Sequence, residues 1–484
     1  MRQLSAKVRV LVPLALVVIG TFAVEATAQD SNESGPGMEE RLSRQEQRIR
    51  DLEARIRQLE AAAMGETAKS SPASETSAVP SGSQVVAKTE SPDSNAADRE
   101  PEDFAGDVRE THELLTRQEL VSDDFPSSWP MFGSNMRMKI GGYIKADFVA
   151  DFDGTLDPTQ FLMRTIPVEG TPEFDGDAYF DAFAKETRFN LDVRRVISGA
   201  PPLRGFIEGD FYGSGSDFRL RHAYITAGNF IAGQTWTTLS FLESLPYMID
   251  FAAGDAIFGG RAAQLRYQRA LNERWKVSVA LEDLQFLGIQ NADSLPGRAT
   301  TQLPLLAFRA DYRHDDGVLL FGASLGQLHW DGGASGPSSN ALQAAFVFAG
   351  RQKLGERAYA SWNVSYTEGA GENILAFAGT DANAVLDANG DLETIPSFAF
   401  VIGLGYDWTG DLSSNLGYAY GWLDTPDTRE DFALKRGGIG HVNLIWKPVE
   451  SFSTGAEFMW GDTQVKNGAK GHANRLQTMI RFDF

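Results

Sequence analysis

Seven arginines fall on one parity of short segments in the middle of the chain: Arg188, Arg194, Arg204, Arg219, Arg221, Arg266 and Arg309. In TRFNLDVRR, Phe189, Leu191 and Val193 oppose Arg188, Asn190, Asp192 and Arg194. In QLRYQ, Leu265 and Tyr267 oppose Gln264, Arg266 and Gln268. In LAFRADYR, Phe308, Ala310 and Tyr312 oppose Arg309, Asp311 and Arg313. A period of two sends alternate side chains to opposite faces of a strand, so the arginines share the wet face. Arg stays charged and can grip a carboxylate with two parallel hydrogen bonds. Several on neighbouring strands would form a basic ladder for anions. The same face carries Asp192, Glu208, Asp210 and Asp311, and arginines paired with these would only stiffen the wall.

A second group of charges lies in SFLESLPYMIDFAAGDAIFGG, within the loop 239–261. Leu242, Leu245, Tyr247, Met248, Ile249, Phe251 and Phe258 make this loop too apolar to stand in water. Folded inward, it would set Glu243, Asp250 and Asp255, with Arg261 at its end, across a constriction from the arginines. Folded outward, it would be a contact between subunits.

Other chemistries have little support. There is no cysteine, which excludes disulfides, thiolate metal sites and a thiol nucleophile. None of the six histidines forms a His-x-x-x-His or His-Glu-x-x-His motif, and no glycine-rich phosphate loop is present. Carboxylates are closely spaced in DFDG (151–154), EFDGD (173–177) and DANGD (387–391), but none completes a twelve-residue calcium loop. The first two belong to a long loop, 151–185, read as acidic and solvated. No enzyme activity, cofactor or metal is expected. A formal charge of −21 makes nucleic acid an unsuitable partner.

The arginines sit on elements of one kind. Sixteen segments of period two run from 138–150 to 473–484. Their connections alternate between tight turns, such as Gly228-Asn229 and HDDG (314–317), and long stretches, such as 239–261, 284–303 and 368–395. The one exception is a brief second long slot, 213–216. That alternation fits a membrane barrel, with short turns on one rim and long loops on the other. The chain ends NRLQTMIRFDF, where Leu476, Ile480, Phe482 and Phe484 share the greasy parity. Met479 is an apolar exception on the wet one. The fold expected is an all-β membrane protein: a 16-stranded antiparallel transmembrane β-barrel preceded by a short α-helical coiled coil.

The first 120 residues differ. Residues 1–28 read as a secretory signal peptide: Arg2, Lys7 and Arg9, an apolar run, then a small-x-small cleavage site at Ala26 and Ala28. After a short segment, 29–37, residues 38–64 carry a heptad seam. Leu42, Ile49, Leu52, Ile56 and Leu59 form its core. RIRDLE and RIRQLE place Arg and Glu around each core pair, similar to short trimeric coiled coils. A charged, solvated single helix is the alternative. Residues 65–120, rich in Ser, Ala, Pro and Glu, read as a disordered, partly helical periplasmic linker, and 121–484 as the barrel.

VSDDFPSSWPMFGSNMRMKIGGYIKADFVADF (121–152) and FRLRHAYITAGNFIAGQTWTTLSF (218–241) resemble the DcaP-type porins of Gram-negative outer membranes. That resemblance implies a homotrimeric diffusion channel in outer-membrane lipid and lipopolysaccharide. It also implies a bias toward small anionic solutes, dicarboxylates among them. Two rivals are a carbohydrate-selective porin and an envelope tether whose coiled coil contacts peptidoglycan. Sugar channels use a file of aromatics along the lumen, whereas most strand aromatics here share the outward parity.

Overall fold

The computed structural model describes residues 125, 127–131, 135–198, 200–283 and 287–484. The leader, the coiled coil with Leu42, Ile49, Leu52, Ile56 and Leu59, and the linker lie outside the described residues. Two units divide the chain, Met1–Ser91 and Pro92–Phe484, and all described residues belong to the second.

Sixteen strands form the wall. The first eight are β1 (Met136–Asp151), β2 (Arg188–Arg195), β3 (Leu203–Asp210), β4 (Arg219–Ala227), β5 (Phe230–Trp236), β6 (Arg261–Ala270), β7 (Trp275–Glu282) and β8 (Leu305–His314). The rest are β9 (Gly317–Asp331), β10 (Ser339–Lys353), β11 (Ala358–Glu368), β12 (Pro396–Asp407), β13 (Leu412–Leu423), β14 (Leu434–Val449), β15 (Phe452–Val465) and β16 (Lys470–Asp483). Each coincides with one period-two segment of the sequence. Neighbours pair antiparallel throughout, and β16 returns to β1 with Tyr143 opposite Asp483 and Asp151 opposite Arg475. The sheet therefore closes, and no strand edge is left open to lipid.

Parity sorts the side chains as expected. Ile480, Phe482 and Phe484 are exposed on the outside, while Arg475 and Gln477 are buried inside. The exposed aromatics Phe308, Phe321, Phe346 and Trp446 also lie on the outer face, where a strand barrel needs an apolar band.

The lumen is partly filled by its own loops. Loop 3 (237–260) folds inward. The stretch 151–185, expected as an acidic, solvated loop, differs: Tyr179–Phe183 pairs with β1, and in the remainder, loop 1 (152–178), only the acidic half is solvated. Glu169, Glu173, Asp175 and Asp177 are exposed. Its apolar stretch Phe161, Leu162, Met163, Ile166 and Val168 is buried. Loop 6 (369–395) also enters: Ile374 bridges Phe258 of loop 3, and Ile374 and Phe377 are fully buried. These loops form one apolar cluster with the inner faces of β9, β10, β12, β13 and β14. The inner wall there is small enough to admit them. A Cβ on Gly403 would stand 2.7 Å from the Pro246 ring, and one on Gly421 2.5 Å from Phe377 Cζ.

A short segment ahead of β1 also turns inward. Trp129–Pro130 pairs with Arg137 and Met138 at the start of β1. Ser128 accepts hydrogen bonds from the Arg137 guanidinium at its hydroxyl (2.6 Å) and carbonyl (2.8 Å). Phe125 is buried, with the Arg194 guanidinium 3.7 Å from its ring centre.

Candidate channel constriction

Loop 3 crosses the lumen because both its ends are tied to the wall. At its stem, the Thr238 N–H and hydroxyl donate to Glu282 Oε1 at 2.5 and 2.6 Å. Arg309 Nη1 donates to the Thr238 and Ser240 carbonyls at 3.2 and 2.9 Å. At its tip, the Ile249 N–H donates to Glu457 Oε2 at 2.6 Å, and Asn443 Nδ2 donates to the Tyr247 carbonyl at 2.8 Å. Lys145 Nζ reaches the Ile249 carbonyl at 2.7 Å. Met479, the apolar exception on the wet parity, has its reason here: it clusters with Ile249, Ile445 and Tyr247 at the tip.

Between loop 3 and strands β2–β6 lies a cavity of about 830 Å³. Arg188, Arg219, Arg221 and Arg261 line it on the strand side. The loop face opposite is largely apolar: Leu242, Leu245, Pro246, Met248, Phe251 and Phe258. Two carboxylates stand within the arginine group. Asp210 accepts from Arg219 Nε and Nη2 at 2.9 and 2.7 Å and from Arg221 Nη1 at 2.8 Å. Glu208 accepts from Arg221 Nε at 2.8 Å. Aromatic faces separate the guanidiniums. Trp236 lies 4.8 Å from Arg261 and 5.8 Å from Arg221. Phe251 lies 5.7 Å from both Arg221 and Arg219. Such contacts are attractive, and they hold like charges in fixed positions despite their repulsion.

The other arginines singled out in the sequence point inward but do not line the cavity. Arg194 and Arg204 both donate to Asp192, at 2.8 and 2.9 Å for their Nη2 atoms, with Arg194 also against Phe125. Arg266 Nη2 donates to the Trp236 carbonyl at 2.6 Å and lies 3.8 Å from Glu282. Arg309 holds the loop stem. These four act in the wall and in loop anchoring.

The acidic side of the expected constriction is also arranged differently. Glu243 turns away from the arginine group to Arg313, 3.1 Å distant. Asp255 accepts the Met163 N–H of loop 1 at 3.0 Å. Asp250 lines the cavity, but its carboxylate accepts the N–H groups of Phe161 and Ala252 at 3.1 and 3.0 Å. Burial pushes both carboxyls above the ordinary aspartate range; for Asp250, His441 opposes that shift and Glu457 adds to it. So Asp250 and Asp255 pin loop 1 to loop 3 and do not form a row of negative charge facing the arginines.

Four further cations line the cavity and were not expected there: Arg164 of loop 1, which donates to the Leu375 carbonyl at 2.7 Å, and, in the far part, Arg351, Lys447 and Arg481. Arg351 lies 3.6 Å from the Tyr359 ring centre and Arg481 3.7 Å from that of Tyr143. Asp407, Glu450 and Asp483 line the same part, so its charges balance three to three. Arg351 shares the inward parity with Ala345, Val347 and Ala349, which was the available signal. Among the described residues, no group of three or more His, Asp or Glu is disposed to hold a metal ion.

A closed sixteen-stranded antiparallel barrel with a greasy exterior, narrowed by an inward third loop, defines an outer-membrane porin. The chain matches the DcaP outer membrane protein family over residues 115–484 and belongs to it. No curated protein matches it in sequence. Among solved structures it is similar to the outer membrane channel DcaP of Acinetobacter baumannii. Identity is 21%, the TM-score is 0.65, and the match covers 74% of this chain and all of that one. Matches with lower scores include an anion-selective porin from Comamonas acidovorans, at 11% identity and a TM-score of 0.49, covering 72% of this chain and all of that one. Another is a trimer form of OmpT from Vibrio cholerae, at 13% identity and a TM-score of 0.45, with the same coverage.

Proposed function

We propose that this porin is a passive diffusion channel favouring small anions, dicarboxylates among them, and that it works as a homotrimer. One observation carries the anion preference: the arginine group faces a loop surface with almost no charge. Arg188, Arg219, Arg221 and Arg261 stand there against Glu186, Glu208 and Asp210, so the narrow part keeps one excess positive charge. Lining charge at a constriction decides which ions enter. Walls of low dielectric focus the field there, and the protein's net −21 has little influence at that point.

Reversal potentials across a salt gradient test this. Anion preference is expected at 0.1 M salt and should shrink toward 1 M, as the Debye length falls from about 10 Å to about 3 Å. Cation preference at low salt would refute it. Trimerisation and the parallel three-stranded bundle proposed for residues 38–64 are tested by sedimentation of the purified protein and of the peptide.

A further inference from the structure

The arginines of the constriction are not equivalent. Arg219 and Arg221 have carboxylate partners, with four guanidinium donors directed at Asp210 and Glu208. Arg261 has none: among the described residues no carboxylate oxygen lies within 4.0 Å of it, and it donates no hydrogen bond. It is half-buried at the junction of loop 3 and β6, opposite Trp236 in the strand register. Trp236 covers its guanidinium, and Arg221 shares that ring.

Withdrawing a cation from water without a partner is costly, and like charges nearby add to the cost. Ring contact supplies part of the compensation, but it leaves the in-plane N–H groups of a guanidinium without acceptors. Arg261 lines the open cavity, so the missing acceptor can come from a solute. We infer that Arg261 is the seat of a saturable anion site, where a solute carboxylate is held edge-on by its guanidinium in the field of Arg188 and Arg221. This rests on the anion preference proposed above. It adds that the channel retains its solute at one residue, beyond filtering by a diffuse field.

The experiment is block of single-channel chloride current by succinate added to the intact trimer in a planar bilayer. The wild type should show saturable block. Arg261→Gln should raise the half-blocking concentration about tenfold, the equivalent of one charge-assisted hydrogen bond. Arg219→Gln should raise it about threefold or less, because that guanidinium is already held by Asp210. Arg261→Lys should recover part of the affinity, since a point charge replaces a fork. Strand content by circular dichroism confirms that each variant is folded. Cation selectivity in the wild type would overturn the anion preference itself. Anion selectivity with block that never saturates would overturn only the Arg261 site. So would block that survives Arg261→Gln and is lost in Arg219→Gln. Chloride conductance that saturates with the same Arg261 dependence when succinate is absent would assign the site to any small anion; conductance linear in chloride assigns it to carboxylates.

Discussion

Strands β2–β6 and β9–β15 enclose one lumen and are lined in opposite ways. The first wall carries large charged side chains, and Arg188, Arg219 and Arg221 reach the open cavity. Apart from Arg351, Asp407 and Lys447 toward the turn side, the second is levelled: Ala345, Ala349, Ala399, Val401 and Ala419 are fully buried beneath loops 1, 3 and 6. Charge can stand on that wall because Arg221 is paired with Glu208 and Asp210, and Arg219 with Asp210. Small apolar residues must be covered, and the covering loop narrows the passage. On the function proposed above, selectivity would belong to the first wall and bore to the second.

The largest effect is expected from the levelled side. Glu457 receives the loop 3 tip at the Ile249 and Asp250 N–H groups and also contacts His441. Glu457→Ala should free the tip, raise single-channel conductance and cost about 3–5 kcal/mol, the usual penalty for breaking a buried charged pair. Unchanged conductance would show that the loop does not set the bore. On the charged side, replacing both Arg219 and Arg221 with Ala should do more than weaken anion preference. Asp210 and Glu208 would stay behind without their guanidiniums, so reversal potentials should move toward cations. Restoring neutrality with Asp210→Asn and Glu208→Gln should cancel most of that shift.

A smaller effect is expected from Gly403→Ala. The added Cβ meets the rigid Pro246 ring, so loop 3 must move toward the arginines. Conductance should fall with selectivity kept, at a cost of about 1–3 kcal/mol. The smallest effect is pH dependence. Asp250 and Asp255 are held above their ordinary range, so the docked loops bind protons that undocked loops release. Docking should be firmest below the unfolded aspartate value of about 4, and should weaken as pH rises above it. Hydrogen exchange of residues 161–168 should therefore show protection, corrected for intrinsic rate, falling from pH 5 to pH 8. Asp250→Asn should flatten part of that slope.

Much of this contrast was legible in sequence. Period two located all sixteen strands, because each residue of a barrel strand faces either lipid or lumen. The apolar content of loop 3 predicted that it could not stay outside. The same reasoning applied to QFLMRTIPV in loop 1 and NILAFAG in loop 6 would have foreseen their entry; their acidic neighbours masked it. Parity aimed the arginines correctly but could not rank them. Whether an inward Arg meets water, a loop carbonyl or Phe125 depends on segments distant in the chain, as Arg309 and Arg194 show. The Arg261 environment was likewise hidden, because it is made by what is missing around it.

Loop 3 also has a mechanical meaning. Its stem is held at Glu282 on β7 and Arg309 on β8, and its tip at Glu457 on β15 and Lys145 on β1. β7 and β15 are eight strands apart, half the circumference of a sixteen-stranded hoop. A hoop without a crossbar flattens under side load; one with a chord along its diameter resists in that direction and yields more easily across it. Lateral pressure in the bilayer therefore acts on this channel unequally by direction. Squeezing along the chord loads the hydrogen bonds at its two ends, while squeezing across it closes the gap between the arginines and the loop.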